Sequence, residues 1–105
     1  MNKMTVLAKA KLGQVEALAK WYDETHIPDL LAVPGLVSAE RHNVMPLKAP
    51  DGVPAWDFML IYGLEGDPMA VLGNMAKAQV ALSDLMDSTL TLSIVAMSQG
   101  VRNKG

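Results

Sequence analysis

Apolar and polar residues alternate along three stretches of the chain, residues 3–11, 36–45 and 55–64, and this period of two predicts three half-buried strands. In the third stretch, one face is expected to carry Trp56, Phe58, Leu60 and Tyr62. In the second, Leu36 is expected to share a face with Ser38, Glu40, His42 and Val44. A fourth stretch, residues 90–97, is apolar and β-branched, which predicts a last strand.

A first helix is predicted over residues 14–25, because Val15, Leu18, Tyr22 and His26 recur at three- or four-residue steps. That stripe should face the core. The residue before a proline is disfavoured in the helical conformation, so the helix is expected to break at Ile27-Pro28. Pro28 can then open a second short helix, which Pro34-Gly35 should end.

A second helix is predicted to begin at Asp67, with its carboxylate as the cap and Pro68 at the first helical position. Its apolar stripe is expected to be Met69, Leu72, Ala76 and Val80. Residues 82–88 are expected to continue it as a separate helical piece.

The predicted order is therefore strand, helix, strand, strand, helix, strand, which is the split βαβ or ferredoxin-like arrangement of an α+β protein. Residues 1–105 are expected to form a single domain, with both helices on one face of a four-stranded antiparallel sheet. The other face would be uncovered within the chain. A homodimer through that face is expected to bury it and form a barrel.

Composition narrows the classes of function. Half of the 105 residues are hydrophobic, there are eight methionines, and the net charge is −2. Without a basic cluster the sequence predicts no nucleic-acid partner. No apolar run is long enough to span a membrane, and the N-terminal residues lack a secretory pattern. The chain has no cysteine, which excludes disulfides and thiolate chemistry. A cytoplasmic location is the resulting expectation.

The residues from Trp21 to Arg41 contain W-Y-x-x-H-x-P-D followed by V-P-G-L-x-S-A-x-R. This pattern resembles the EthD-like branch of the dimeric α+β barrel superfamily. Distant relatives include methylmuconolactone isomerases, polyketide cyclases, small monooxygenases and haem-degrading enzymes. The resemblance in element order and length covers the whole chain, and it implies the fold more strongly than the reaction.

The resemblance implies a role for His26, since the isomerase carries a similarly placed histidine that takes part in proton transfer. That enzyme has a second histidine in the loop before the third strand, where this chain has Gly52 and Val53. Its second-strand tyrosine falls nearest to Ala39 here. These departures argue against the same isomerisation and leave His26 as a candidate acid or base.

Three residues are candidates for proton transfer. The imidazole of His26 can give or take a proton near neutral pH. Tyr62, on the third strand, can reach the same cavity with its hydroxyl, although a strand tyrosine is also typical of a core. Asp29 lies three residues beyond His26 and can orient its ring; it can equally be a simple first-turn charge.

The expected substrate-binding residues lie on the helix and the strands and are Trp21, Tyr22, Arg41, His42, Trp56 and Phe58. Arg41 and His42 point to opposite faces of a strand, so only one can face the pocket. Arg41 can hold an acidic substrate, but a surface pair with Asp or Glu is the favoured alternative. No ligand spacing predicts a metal, and no cofactor is expected.

The first hypothesis is a small cofactor-independent enzyme of the isomerase, cyclase or lyase type. It would move a proton on a mostly apolar, ring-bearing metabolite in a catabolic or biosynthetic pathway, such as aromatic compound catabolism. A non-catalytic accessory or ligand-binding protein is the alternative. A haem-binding oxygenase-like protein, with His26 as axial ligand, is the third.

Overall fold

A computed structural model describes all residues from Met1 to Gly105. It contains one four-stranded antiparallel sheet in the order β2-β3-β1-β4. The strands are β1 (Asn2–Ala8), β2 (Leu36–Asn43), β3 (Phe58–Leu64) and β4 (Leu92–Ala96). The helical segments are α1 (Val15–Trp21), a π-helical turn (Tyr22–His26), α2 (Ile27–Leu31) and α3 (Pro68–Ala78). The predicted ferredoxin-like α+β arrangement is confirmed.

The central strand β3 carries most of the core. Phe58, Leu60, Tyr62 and Leu64 are buried on its helix-facing side, as the alternation predicted for the first three. The strand starts at Phe58 rather than Ala55, and the Trp56 side chain donates instead to the carbonyl of Leu90. Opposite these residues in the register, β1 contributes Met4, Val6 and Ala8 to the same face.

The predicted faces of β2 are wrong at its start, because the register shifts between Leu36 and Ser38. This irregularity places Leu36 in the core and turns Ser38 away from it. Arg41 pairs with Leu60 in the register, so it lies on the helix-facing side. His42 pairs with Met59 on the opposite face.

The break predicted at Ile27-Pro28 is wrong, because the helix continues to Leu31 through the π-helical turn. The N–H of Ile27 donates to the carbonyl of Tyr22, five residues back. Pro28 has no N–H for the carbonyl of Glu24 and would crowd it in an α-helix, and a wider turn relieves that conflict. Leu18 and Tyr22 are buried as predicted, whereas Val15 is 41% exposed.

The helical segments end at Leu31, before the predicted stop at Pro34-Gly35, and the turn that follows leads into β2 after Gly35. Gly35 has φ of +93°, a conformation that side chains other than glycine rarely adopt. A Cβ there would also lie 2.5 Å from Val71 Cγ2. Gly35 therefore lets the chain turn into β2 while remaining in close contact with α3.

The predicted start of α3 is confirmed, since the Asp67 carboxylate accepts from the N–H of Met69 at 3.1 Å. Its predicted stripe is only partly right. Val71 is its one buried residue, and Met69 is 69% exposed. The helix stops at Ala78, because Gln79 takes the left-handed conformation. Residues 82–88 form turns and a single bridge rather than the predicted helix.

The face of the sheet opposite the helices is uncovered within the chain. It carries Thr5, Leu7, Met59 and Ile61 from the two central strands, with Leu92 and Ile94 at the β4 edge. Leu92 and Ile94 are 45% and 48% exposed.

No helix in the molecule combines the length and the apolar character that crossing a membrane requires.

Candidate functional site

A cavity of about 380 Å³ lies between the helical segments, the irregular chain after α3, and the helix-facing side of β1, β3 and β4. Its volume is in the range of small-molecule sites. Its wall is mainly apolar, with a few polar side chains. The apolar part of the wall consists of Met4, Val6, Leu30, Met75, Ala76, Val80, Leu82 and Met86. The polar part consists of Tyr22, His26, Tyr62, Gln79, Thr91 and Ser93.

His26 reaches this cavity from the last residue of the π-helical turn. π-helical turns within longer helices are frequent at functional sites. Its Nδ1 is buried and has no hydrogen-bond partner. Burial lowers the pKa of His26, while the Asp29 carboxylate and the Ala81 backbone oppose that change. The ring is therefore neutral at pH 7 and can accept a proton.

Two tyrosines share the cavity wall with His26. The Tyr22 hydroxyl donates to Met86 Sδ at 3.4 Å, a weak acceptor that a better one can displace. Tyr62 lines the same cavity, and its hydroxyl makes no hydrogen bond within the chain. Burial raises the pKa of Tyr22 to about 12, and burial followed by the nearness of Tyr22 raises the pKa of Tyr62. Both phenols stay protonated and can donate hydrogen bonds.

Trp21 lies outside the cavity wall, but it holds His26 in place. The indole stacks on the imidazole with ring centroids 4.4 Å apart and planes 19° from parallel. Tyr22 also meets His26 in an edge-to-face arrangement, at a centroid distance of 5.6 Å and an angle of 71°, and its ring lies 5.0 Å from that of Trp21. The imidazole thus packs against a cluster of two aromatic rings, which restricts its rotation.

Asp29 lies in a separate shallow groove with Pro28 and the end of α3. It does not line the cavity, and its influence on His26 is electrostatic, acting on the pKa. Its carboxylate therefore favours the protonated form of His26 from outside the site.

Arg41 is held by a carboxylate of the chain itself. Its Nε and Nη2 donate to the two carboxylate oxygens of Asp23 at 2.8 and 2.9 Å. The guanidinium also lies 4.9 Å above the ring of Phe58, which is buried in the core. The pair with Asp23 agrees with the favoured alternative of a surface pair, and it places Arg41 and Phe58 away from the cavity.

His42 and Trp56, two further candidates for substrate binding, are also remote from the cavity. His42 Nε2 lies 3.1 Å from Glu40 Oε2 on the uncovered face, in a geometry that does not make a hydrogen bond. The Trp56 indole donates to the carbonyl of Leu90 at 2.6 Å. Of the nine candidate residues, the cavity brings together three: His26, Tyr62 and Tyr22.

Gln79 is a site residue that the sequence did not suggest. It is the only residue other than glycine with positive φ, at +51°. It borders both the cavity and the shallow groove of Asp29. A left-handed residue other than glycine is uncommon, and such residues cluster at functional sites. Its one sequence signal is a polar residue just after a helix.

Metal coordination finds no support in the arrangement of side chains. No group of three or more His, Asp or Glu side chains is close enough to hold an ion. The polar groups of the cavity wall are one imidazole, an amide and hydroxyls. These groups are suited to giving, accepting and directing protons.

Comparison with known proteins supports the fold. No protein-family model matches the chain, and no curated protein matches it. Among solved structures, HapK from Hahella chejuensis is similar, with a TM-score of 0.60 and 15% identity over 99% of this chain and all of that one. An ethyl tert-butyl ether d (EthD) family protein from Bacillus halodurans has a TM-score of 0.57 and 15% identity, covering 94% and 99%. The chain therefore shares the ferredoxin-like α+β fold of these two proteins, one of them from the EthD family that the sequence resembles.

Proposed function

We propose that the protein is a cofactor-independent enzyme that transfers a proton on a mostly apolar, ring-bearing metabolite. The reaction would be an isomerisation, a cyclisation or an elimination. The observation that carries this proposal is the meeting of His26 and two tyrosine hydroxyls on the wall of one apolar cavity. A base next to phenol donors is an arrangement that general acid–base catalysis requires.

His26 is proposed as the base. Its lowered pKa keeps it unprotonated at neutral pH, so it can take a proton from a C–H bond beside a carbonyl group. The developing negative charge would lie on the carbonyl oxygen of the substrate. A hydrogen bond from the Tyr62 hydroxyl would stabilise that charge, because a donor already placed in an apolar site need not be reorganised.

Asp29 and Trp21 are proposed to support His26 rather than to touch the substrate. Once His26 has taken the proton, the Asp29 carboxylate would stabilise the imidazolium, because that carboxylate acts to raise the pKa of His26. The stacked indole of Trp21 would keep the ring aimed into the cavity, and an aromatic face also favours a cation.

The test uses β-tetralone, a two-ring ketone with acidic C–H bonds beside its carbonyl. Protein and ketone are mixed in deuterium oxide, and NMR follows the incorporation of deuterium. Wild-type protein should accelerate the exchange. His26→Gln should lower the rate by about 10²- to 10⁴-fold, the usual loss for a positioned acid–base group. The melting temperature of each variant shows whether the loss comes from unfolding.

His42→Gln is the matched control, because it removes the other histidine, on the uncovered face of the sheet. It should retain the wild-type exchange rate. A folded His26→Gln protein with the wild-type rate would refute the role of His26. Tight binding without exchange would favour the accessory or ligand-binding alternative, and a haem absorption band in the purified protein would favour the oxygenase-like one.

A homodimer through the uncovered sheet face is part of the proposal. The apolar side chains there, including Leu92 and Ile94, are exposed in the single chain, and exposed apolar patches favour association. Sedimentation at micromolar concentration should find a dimer, and Ile94→Lys should convert it to a monomer.

The single domain and the cytoplasmic setting remain predictions from the sequence.

A further inference from the structure

The cavity wall contains no charged side chain, although the chain has nine basic and eleven acidic residues. Its polar members are an imidazole, four hydroxyls and one amide, from His26, Tyr22, Tyr62, Thr91, Ser93 and Gln79. While His26 is neutral, a ligand in the cavity would therefore be surrounded by groups that can form hydrogen bonds but carry no charge.

Two cations outside the cavity wall are already paired with carboxylates. Arg41 is held by both oxygens of Asp23, and Lys9 lies 3.6 Å from Asp57 Oδ2. The charge that acts on His26 from outside the cavity is the carboxylate of Asp29. An anionic ligand would thus meet no free cation and would be repelled by Asp29.

We infer that the cavity takes an uncharged molecule of one or two rings with a carbonyl or hydroxyl oxygen, and that it rejects carboxylates. This inference rests on the proposed function only in using the same cavity. Moving an ionised carboxylate into an apolar site without a partner costs far more than moving a neutral oxygen that finds a donor. A cavity of about 380 Å³ has room for a one- or two-ring molecule.

The free donors determine which kind of oxygen is accepted. The Tyr62 hydroxyl has no partner in the chain, and the Gln79 side chain makes no hydrogen bond within it. Each can donate to a single carbonyl oxygen. Donors left unpaired by a purely apolar ligand would cost free energy, so an oxygen should improve binding.

The experiment compares two ligands of almost equal shape, β-acetonaphthone and β-naphthoate, which differ in a methyl group against a charged oxygen. Equilibrium dialysis at pH 8 measures both dissociation constants on the wild-type protein. The ketone should bind at least about 100-fold more tightly, because even a neutral unpaired polar group costs up to about 3 kcal/mol when buried. Failure of the ketone to bind, or equal binding of the carboxylate, would overturn the inference.

A variant designed to gain affinity for naphthoate provides a second test, which does not depend on the ratio of the two wild-type dissociation constants. Leu82 lines the cavity and is 74% exposed, so Leu82→Arg would place a cation at the mouth of the cavity. It should strengthen naphthoate binding by about tenfold, as expected of a partly desolvated charge pair. Leu47→Arg, at a fully exposed position outside the cavity, should change neither constant. Equal gains in both variants would contradict the inference.

The outcomes separate this inference from the proposed function. Discrimination against naphthoate together with no deuterium exchange on β-tetralone would uphold the choice of ligand and reject catalysis. Exchange on β-tetralone together with tight naphthoate binding would support the proposed catalysis and reject the inferred preference for uncharged ligands.

Discussion

The two halves of the helical layer cover the sheet unequally. The first half, from α1 through the π-helical turn to the turn after α2, buries Leu18, Tyr22, Leu30 and Val33. The second half, α3 with the irregular chain up to β4, buries Val71 alone among the residues of its helix. The cavity lies where this second half stands away from the sheet, with Met75 and Ala76 of α3 in its wall.

The two halves therefore have different tasks. One positions the chemical groups of the site, and the other leaves space for a ligand. His26, Tyr22 and Trp21 come from the tightly packed half, where stacking restricts each ring. The space for a ligand comes from the loosely packed half, whose wall includes two flexible methionines, Met75 and Met86. Binding sites of this kind combine rigid chemical groups with a less stable and more adaptable cover.

The largest expected effect is a difference in the free energy of unfolding between leucine-to-alanine variants in the two halves of the helical layer. Leu18 in α1 is completely buried, whereas Leu72 in α3 is only partly buried. Leu18→Ala should lower the free energy of unfolding by about 2–5 kcal/mol, through lost burial and the cavity left behind. Leu72→Ala should cost clearly less. Urea unfolding measures both, and equal losses would show that the two halves are packed alike.

The second prediction fills the cavity from the loosely packed side. Ala76→Leu adds apolar volume to the wall of the cavity and should keep the free energy of unfolding within about 1 kcal/mol of wild type. Binding of β-acetonaphthone should fall by more than about tenfold, since the new side chain occupies its space. Calorimetric titration provides the binding constants.

Ala70→Leu is the matched control for Ala76→Leu. It makes the same change on the same helix, at an exposed position that does not line the cavity. Its affinity for the ketone should equal that of wild type. A parallel loss in both variants would mean that the ligand contacts the outside of α3.

The third prediction concerns acid stability in the tightly packed half. The folded-state pKa of His26 is lowered from 6.5 by burial, so the unfolded chain binds more protons below that pH. The free energy of unfolding should therefore fall as the pH drops from 6.5 to the lowered folded-state pKa. His26→Gln should remove this part of the slope. An unchanged slope in urea unfolding between those pH values would contradict a buried, neutral His26.

The smallest effect expected is that of Asp29. Its carboxylate raises the pKa of His26 against the larger effect of burial, so Asp29→Asn should lower that pKa further. NMR titration of the imidazole C–H signal measures it. A rise in the pKa would show that Asp29 does not stabilise the imidazolium.

Regular local patterns made much of the fold predictable. The alternation in β3 and the Asp67-Pro68 start of α3 both express short-range rules, so both could be seen in the sequence. The continuation of the helix through Ile27-Pro28 could not. It depends on a π-helical turn, and tertiary packing overrode the local preference against helix before proline.

The candidate site was predictable only where a residue's role follows from its own element. His26 and Tyr62 lie on a helical stripe and a strand face, and both reach the cavity. Arg41 lies on the helix-facing side too, but its pairing with Asp23 joins segments 18 residues apart. Gln79 depends on a left-handed backbone that nothing in its own residue type requires.

The central claim is that the cavity beside His26 is the ligand site, and the methionine methyl groups test it most directly. Met75 and Met86 line the cavity, while Met45 and Met97 are exposed outside it, at 88% and 65%. NMR of ¹³C-labelled methionine methyls, titrated with β-acetonaphthone, should shift the first pair and leave the second pair unchanged. Shifts confined to Met45 and Met97, with Met75 and Met86 unmoved, would contradict the account.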